Sequence, residues 1–132
     1  MANSLSLKKI TVYLCIMLFL LSCSSKQLRS DSKGIGYTES GKASFYAMKY
    51  QFKKTASGER LDNRSFTAAH RTLPFGTKVK VTNLKNGKSV TVTITDRGPF
   101  VKGRVIDLTQ SAFKKIGNIE SGVINVNIEV VE

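Results

Sequence analysis

Two alternating runs joined by an Asn-Gly turn constrain this chain more than any other feature. Residues 77–84 (Thr-Lys-Val-Lys-Val-Thr-Asn-Leu) and 89–95 (Ser-Val-Thr-Val-Thr-Ile-Thr) each place an apolar residue at every second position. That period belongs to a strand with one buried face. Between them lies Lys85-Asn86-Gly87-Lys88, where Asn and Gly both tolerate positive φ, so a β-hairpin is expected. Residues 42–47, 104–108 and 123–131 read as further strands, and Ala68-Ala69 suggests a short buried strand ending at His70. One helix is expected over residues 110–116, with Ala112, Phe113 and Ile116 on one face. Thr109 is placed to cap it and Gly117-Asn118 to stop it. A small, mainly β domain has to manage its sheet edges, and closure into a barrel does so. The residues themselves therefore predict a small β-barrel with one short helix.

The first residues read as an export signal. Lys8 and Lys9 precede an almost unbroken apolar run over residues 10–21. The run is shorter than the ~20 residues needed to span a bilayer and fits the apolar region of a secretory signal. Leu20-Leu21-Ser22-Cys23 is similar to a bacterial lipobox, which implies removal of residues 1–22 and a lipid on Cys23. Cys15 is the only other cysteine and would leave with the signal. The mature chain is then expected to have no disulfide, no cysteine metal site and no thiol nucleophile. Stable anchoring takes more than one acyl chain, each buried CH₂ contributing about 0.8 kcal/mol, and a triacylated Cys23 meets that condition. Ser24, rather than Asp, after the cysteine favours an outer-membrane anchor facing the periplasm, with the inner membrane as the alternative. Residues 23–40 are rich in Ser, Gly and charge and read as a flexible tether. The folded domain is expected over residues 41–132.

The formal net charge is +12. Such a charge suits a polyanionic partner. An exported chain with no nucleic-acid motif points to envelope material, peptidoglycan carboxylates or anionic lipid, and away from nucleic acid. General solubility and weak adhesion account for the charge equally well.

Three segments hold the residues suited to chemistry. In Thr55-Ala56-Ser57-Gly58-Glu59, Gly58 permits a tight bend that turns Glu59 outward. Thr67-Ala68-Ala69-His70-Arg71-Thr72-Leu73-Pro74-Phe75-Gly76 contains the only His of the chain. One His without cysteine makes no ordinary zinc site, so no metal and no cofactor are expected. His70 is suited to orient a carboxylate or a sugar hydroxyl. In Thr95-Asp96-Arg97-Gly98-Pro99-Phe100, Asp96 shares the parity of Val92 and Ile94, so alternation points it inward or into a cleft at the barrel mouth. It could equally cap its own turn. Asp107, just before the helix, is assigned to structure, its charge favouring a helix N-terminus. Arg97, Arg71 and Tyr46 are candidates for substrate binding, although an aromatic in a first strand is more often core.

Together these three motifs resemble those of the rare lipoprotein A family, septal-ring-type lytic transglycosylases of the bacterial envelope. The resemblance runs from about Gly41 to Glu132. It implies a six-stranded double-psi β-barrel and a monomer acting on peptidoglycan glycan strands. It also implies cleavage between N-acetylmuramic acid and N-acetylglucosamine with 1,6-anhydro ends, preferring glycan with few stem peptides. By resemblance Asp96 and Glu59 are the two essential carboxylates, with His70 beside them. Family members often carry a C-terminal SPOR domain. None is expected within these 132 residues, which leaves septal recruitment, by division or wall-synthesis proteins, without its usual module. Two rival readings remain, a non-catalytic expansin-like binding module and a scaffolding lipoprotein.

Overall fold

A computed structural model describes residues 33–132 of the chain. The expected signal peptide, Cys23 and most of the expected tether lie outside the described residues. Six strands, β1 (Thr38–Phe45), β2 (Thr67–Ala69), β3 (Lys78–Asn83), β4 (Ser89–Asp96), β5 (Arg104–Leu108) and β6 (Ile124–Val130), form one sheet. It closes on itself in the order β1-β5-β2-β4-β3-β6. The β1/β5 and β2/β4 pairs are parallel, and every other pair is antiparallel.

The expected hairpin is β3/β4, with Val79 opposite Val92 and Val81 opposite Val90. Its connection is longer than a two-residue turn. Gly87 has φ +72 while Asn86 does not enter the left-handed region. Asn83 Oδ1 and Asn86 Oδ1 instead accept from the backbone N–H of Lys85 and Lys88, respectively. Both Asn side chains also donate to the Ile116 carbonyl, at 2.7 and 2.9 Å. The hairpin thereby satisfies the C-terminal end of the helix, which leaves carbonyls without intrahelical partners.

β1 starts at Thr38, pairing Thr38 with Glu129 and Ser40 with Asn127. Ahead of it the Gly36 N–H donates to the Val130 carbonyl at 2.8 Å. The boundary expected at residues 40/41 thus falls inside a strand. Polar, glycine-rich composition read as a tether, but this strand draws its backbone hydrogen bonds from β6. Gly41 lies where a Cβ would stand 2.4 Å from Val105 Cγ1, so the β1/β5 approach requires its missing side chain.

The one α-helix among the described residues, α1, spans Gln110–Ile116 and buries Ala112, Phe113 and Ile116, as the spacing requires. Its cap differs from the expected one. The buried Thr109 hydroxyl donates to the Ser65 carbonyl at 2.6 Å and does not cap. Asn63 does the work instead: Oδ1 accepts from Gln110 N–H and its carbonyl from Ser111 N–H, both at 3.0 Å. Phe113, Ile94, Ile106, Leu108 and Ile128 fill the core.

Because its carbonyl-type oxygen holds a helix start from far away in sequence, Asn63→Ala should cost about 1–2 kcal/mol. Asn63→Asp should keep most of that stability, since a carboxylate accepts the same bond and suits a helix N-terminus. Urea unfolding of the two variants checks the order.

Candidate active site

The site arises where alternation fails. Along β4, Ile94 and Thr95 are both buried, so one residue is out of step. The β2/β4 register shifts between Ala68 and Ala69, pairing Ala68 with Ile94 but Ala69 with Asp96. Ala69 is also opposite Asp107, which is opposite Ser44. Residues paired across strands share a face. Ser44, Asp107, Ala69 and Asp96 therefore form one row across β1, β5, β2 and β4. The neighbouring row, Phe45 with Leu108 and Ala43 with Ile106, packs into the core. Simple parity placed Asp96 with Val92 and Ile94; the bulge moves it to the opposite face, beside Asp107. Two strand spacings, about 9–10 Å between backbones, separate the acids, with Ala69 on the strand between them.

Asp96 is met by three donors. The Tyr46 hydroxyl donates to Oδ2 at 2.6 Å, and the Ala56 and Arg97 N–H groups donate to Oδ1, each at 2.9 Å. The Tyr46 phenol is pushed well above its ordinary range, first by burial and then by the Asp96 carboxylate that accepts its hydrogen, with Asp107 adding to the effect. It stays protonated and remains a donor. Tyr46 was expected to touch substrate through its ring; its phenol holds Asp96.

Asp107 is half-buried, not simply a charge near the helix. It accepts from the Ser44 hydroxyl, which Arg104 Nη1 also approaches at 3.2 Å. Burial raises its carboxyl pKa above the ordinary value, Ser44 and Arg104 oppose that rise, and Asp96 adds to it. The signal for Asp107 was an acid inside the apolar run Val105-Ile106-Asp107-Leu108, which its nearness to the helix disguised.

The turn over residues 55–59 is closed by the Thr55 N–H to the Glu59 carbonyl at 2.8 Å and tied to β4 by the Ser57 N–H to the Thr95 carbonyl at 3.1 Å. Gly58 takes φ +93, as its place before Glu59 suggested. Glu59 is exposed and has no side-chain partner among the described residues. Its turn is joined to Asp96 through Ala56.

His70 follows β2, at the strand end, and is 1 % exposed. Nδ1 accepts from the N–H of Thr72 and Leu73, both at 3.1 Å, so the hydrogen of the neutral ring lies on Nε2, which faces Glu39 Oε2 at 3.0 Å. The carboxylate His70 orients is thus Glu39, which had been assigned to the tether. The ring does not reach bulk solvent. Its backbone serves the site: His70 N–H donates to the Asp96 carbonyl at 3.1 Å. Arg97 and Arg71 are spent on the fold as well. Arg97 Nη1 donates to the Leu73 carbonyl at 2.8 Å and stacks 4.0 Å from the Phe75 ring centroid. Arg71 reaches the Arg104 carbonyl at 3.2 Å and Glu39 at 3.4 Å. Both guanidinium groups, expected to meet substrate, also hold the fold, and Arg71 stays exposed while doing so. Among the described residues no group of three His, Cys, Asp or Glu side chains stands close enough to hold a metal.

A family model described as lytic transglycolase matches residues 38–128, from the first residue of β1 almost to the end of β6. The chain belongs to this family. Its barrel is accordingly a double-psi β-barrel. The endolytic peptidoglycan transglycosylase RlpA of Vibrio cholerae is 54 % identical over 96 residues, covering 73 % of this chain and 36 % of the relative. That of Pasteurella multocida is 47 % identical over 108 residues, covering 82 % and 37 %. The chain thus matches little more than a third of either relative's length. Among solved structures, a Streptomyces papain inhibitor superposes with TM-score 0.60 at 28 % identity, covering 74 % of this chain and 97 % of the inhibitor. A Clavibacter michiganensis expansin superposes with TM-score 0.55 at 21 % identity, covering 72 % and 50 %, a likeness of fold alone.

Burial lowers the His70 pKa below its ordinary 6.5, and the Glu39 contact only partly restores it. The unfolded chain therefore takes up a proton that the folded one resists. The stability His70 contributes is complete above 6.5 and is lost as pH falls toward the folded value. With a single His in the chain, ring NMR signals should titrate below 6.5, and the urea midpoint should fall between pH 7 and 5. Titration above 6.5 would contradict this account.

Proposed function

We propose that this chain is an endolytic lytic transglycosylase of peptidoglycan, cutting between N-acetylmuramic acid and N-acetylglucosamine and leaving 1,6-anhydro ends. The observation that supports it best is the Asp96 carboxylate, gripped by Tyr46, Ala56 and Arg97 on the same barrel face as Asp107. The names and identity of the relatives point the same way.

The reaction needs no water as nucleophile. The muramoyl C6 hydroxyl attacks its own anomeric carbon, and an intramolecular attack lowers the entropic part of the barrier. The protein has to protonate the leaving oxygen, accept the C6 proton and balance oxocarbenium-like charge. Asp96, whose carboxylate accepts three hydrogen bonds, takes the C6 proton and passes that proton to the leaving oxygen, so that one carboxyl group serves first as base and then as acid. Tyr46 keeps the Asp96 oxygen aimed while remaining a donor itself. Glu59, exposed on a turn that is bonded to Asp96, adds negative charge from the rim. Asp107 supplies a second carboxylate behind the Ala69 methyl. His70 acts at one remove, holding the turn that carries Arg97 and the Asp96 backbone. Glycan with few stem peptides is the preferred substrate in this reading. A lipid on Cys23 holds the barrel at the envelope, on the outer membrane facing the periplasm. Division or wall-synthesis proteins remain candidate partners. Detergent phase partitioning of wild type against Cys23→Ala tests the anchor, and equal partitioning would sink it.

Incubated with intact sacculi and with amidase-stripped glycan, the wild type should release anhydromuramyl products seen by mass spectrometry. Asp96→Asn and Glu59→Gln should lose at least ~100-fold while staying folded. Tyr46→Phe removes one hydrogen bond to a charged group, worth about 1.5–3 kcal/mol, so roughly a 10–100-fold loss is expected. Binding without products from the wild type would turn the assignment to a non-catalytic, expansin-like module.

A further inference from the structure

Phe52 has φ +62, the only non-glycine residue in the left-handed region among those described. For a bulky aromatic this is a genuine outlier, since Cβ crowds the backbone. The bend is enforced by neighbours: Phe52 N–H donates to the Leu61 carbonyl at 2.7 Å, Leu61 N–H to Lys53 at 2.8 Å, and Lys54 bridges Arg60. Packing does not explain why a ring stands there, because Phe52 is 55 % exposed. Glycine would suit the backbone better and would lose little burial.

The ring forms one wall of a pocket of about 430 Å³ shared with Met48, Asn63, Arg64, Gln110 and Lys114. Its charged lining is all cationic. The Arg64 guanidinium lies 5.7 Å from the Phe52 centroid, its direction fixed by two bonds to Asp62 at 2.9 and 3.1 Å. Two polar atoms there are under-used. Asn63 is 4 % exposed, yet the only partner of its Nδ2 is the Met48 sulfur at 3.7 Å, a weak acceptor. Gln110 donates through Nε2 to the Tyr46 carbonyl at 2.9 Å, and its Oε1 has no donor among the described residues. That same bond joins the pocket to the residue that holds Asp96, and the Tyr46 and Tyr50 rings meet edge-on, with centroids 6.4 Å apart.

An apolar ring face, one donor, one acceptor and one cation unpaired among the described residues, Lys114, around a small pocket suit an N-acetylated sugar bearing a carboxylate. We propose that the Phe52 pocket is an accessory subsite that binds a muramic acid residue through its free lactyl carboxylate, near the sugars held at Asp96. Phe52 stacks on the sugar, Lys114 meets the carboxylate, and Asn63 Nδ2 donates to the acyl or hydroxyl oxygen. This rests on the glycan-cleaving reading above and gives its preference for peptide-free glycan a physical cause: a stem peptide converts that carboxylate into an amide.

The test is calorimetric titration of the full chain in detergent with a peptide-free muramic acid/N-acetylglucosamine tetrasaccharide and with chitotetraose, which lacks the carboxylate. The wild type should bind the acidic tetrasaccharide roughly fivefold to tenfold more tightly. Phe52→Gly and Lys114→Gln should each remove most of that difference. Phe52→Gly should also melt no lower than the wild type, because it relieves the backbone. A lower melting temperature would make Phe52 a packing residue and overturn the proposal. Equal discrimination by wild type and both variants would overturn it too. If discrimination is unchanged in both variants while wild type and variants all produce anhydro ends, only the subsite falls. If the wild type neither binds nor cleaves any glycan, the reading of function falls with it.

Discussion

Strand β1 is hydrogen-bonded on both edges, to β6 through its first half and to β5 through its second. This double pairing closes the sheet, and the rest of the domain depends on it. Closure removes exposed edges from a small domain whose described part contains no cysteine. It also carries Ser44 against Asp107 and delivers Tyr46, one residue beyond the strand, to Asp96. The close approach at Gly41 is the local cost of this geometry, met by omitting a side chain where Val105 stands.

What the sequence revealed divides along physical lines. The β3/β4 hairpin and the helix were legible because periodicity and turn residues act over a few neighbours. Thr109 as a cap was a local guess defeated by a distant residue: Asn63 reaches the helix start by a route no window of sequence contains. Glu39 was hidden in a polar stretch, since composition cannot show that backbone groups will find partners in β6. The parity of Asp96 failed because one extra residue reverses every side chain beyond it. Phe52 gave no sign at all, since nothing about phenylalanine announces a left-handed backbone.

The candidate site residues separate by what they are attached to. Asp96 and Tyr46 face each other across a 2.6 Å hydrogen bond. His70, Arg97 and Arg71, which look reactive in a motif, hold carbonyls, a ring and Glu39 in place. Motif residues can thus be read together as one constellation while most of them serve the scaffold that aims a single carboxylate. Such division of labour is expected where a catalytic group must be held rigidly by residues packed behind it.

Ala69 makes no hydrogen bond through its side chain and carries no charge, yet it sits between Asp96 and Asp107 on the shared face. Two strand spacings set how far the acids stand apart, and its methyl lets neighbouring side chains close over the strand between them. Ala69 is 1 % exposed, so a larger residue there would have to displace what packs over it, at a cost of about 1–3 kcal/mol. The position therefore behaves like a gauge block: its smallness is a dimension of the barrel, enforced by what packs over it and not by anything it does itself.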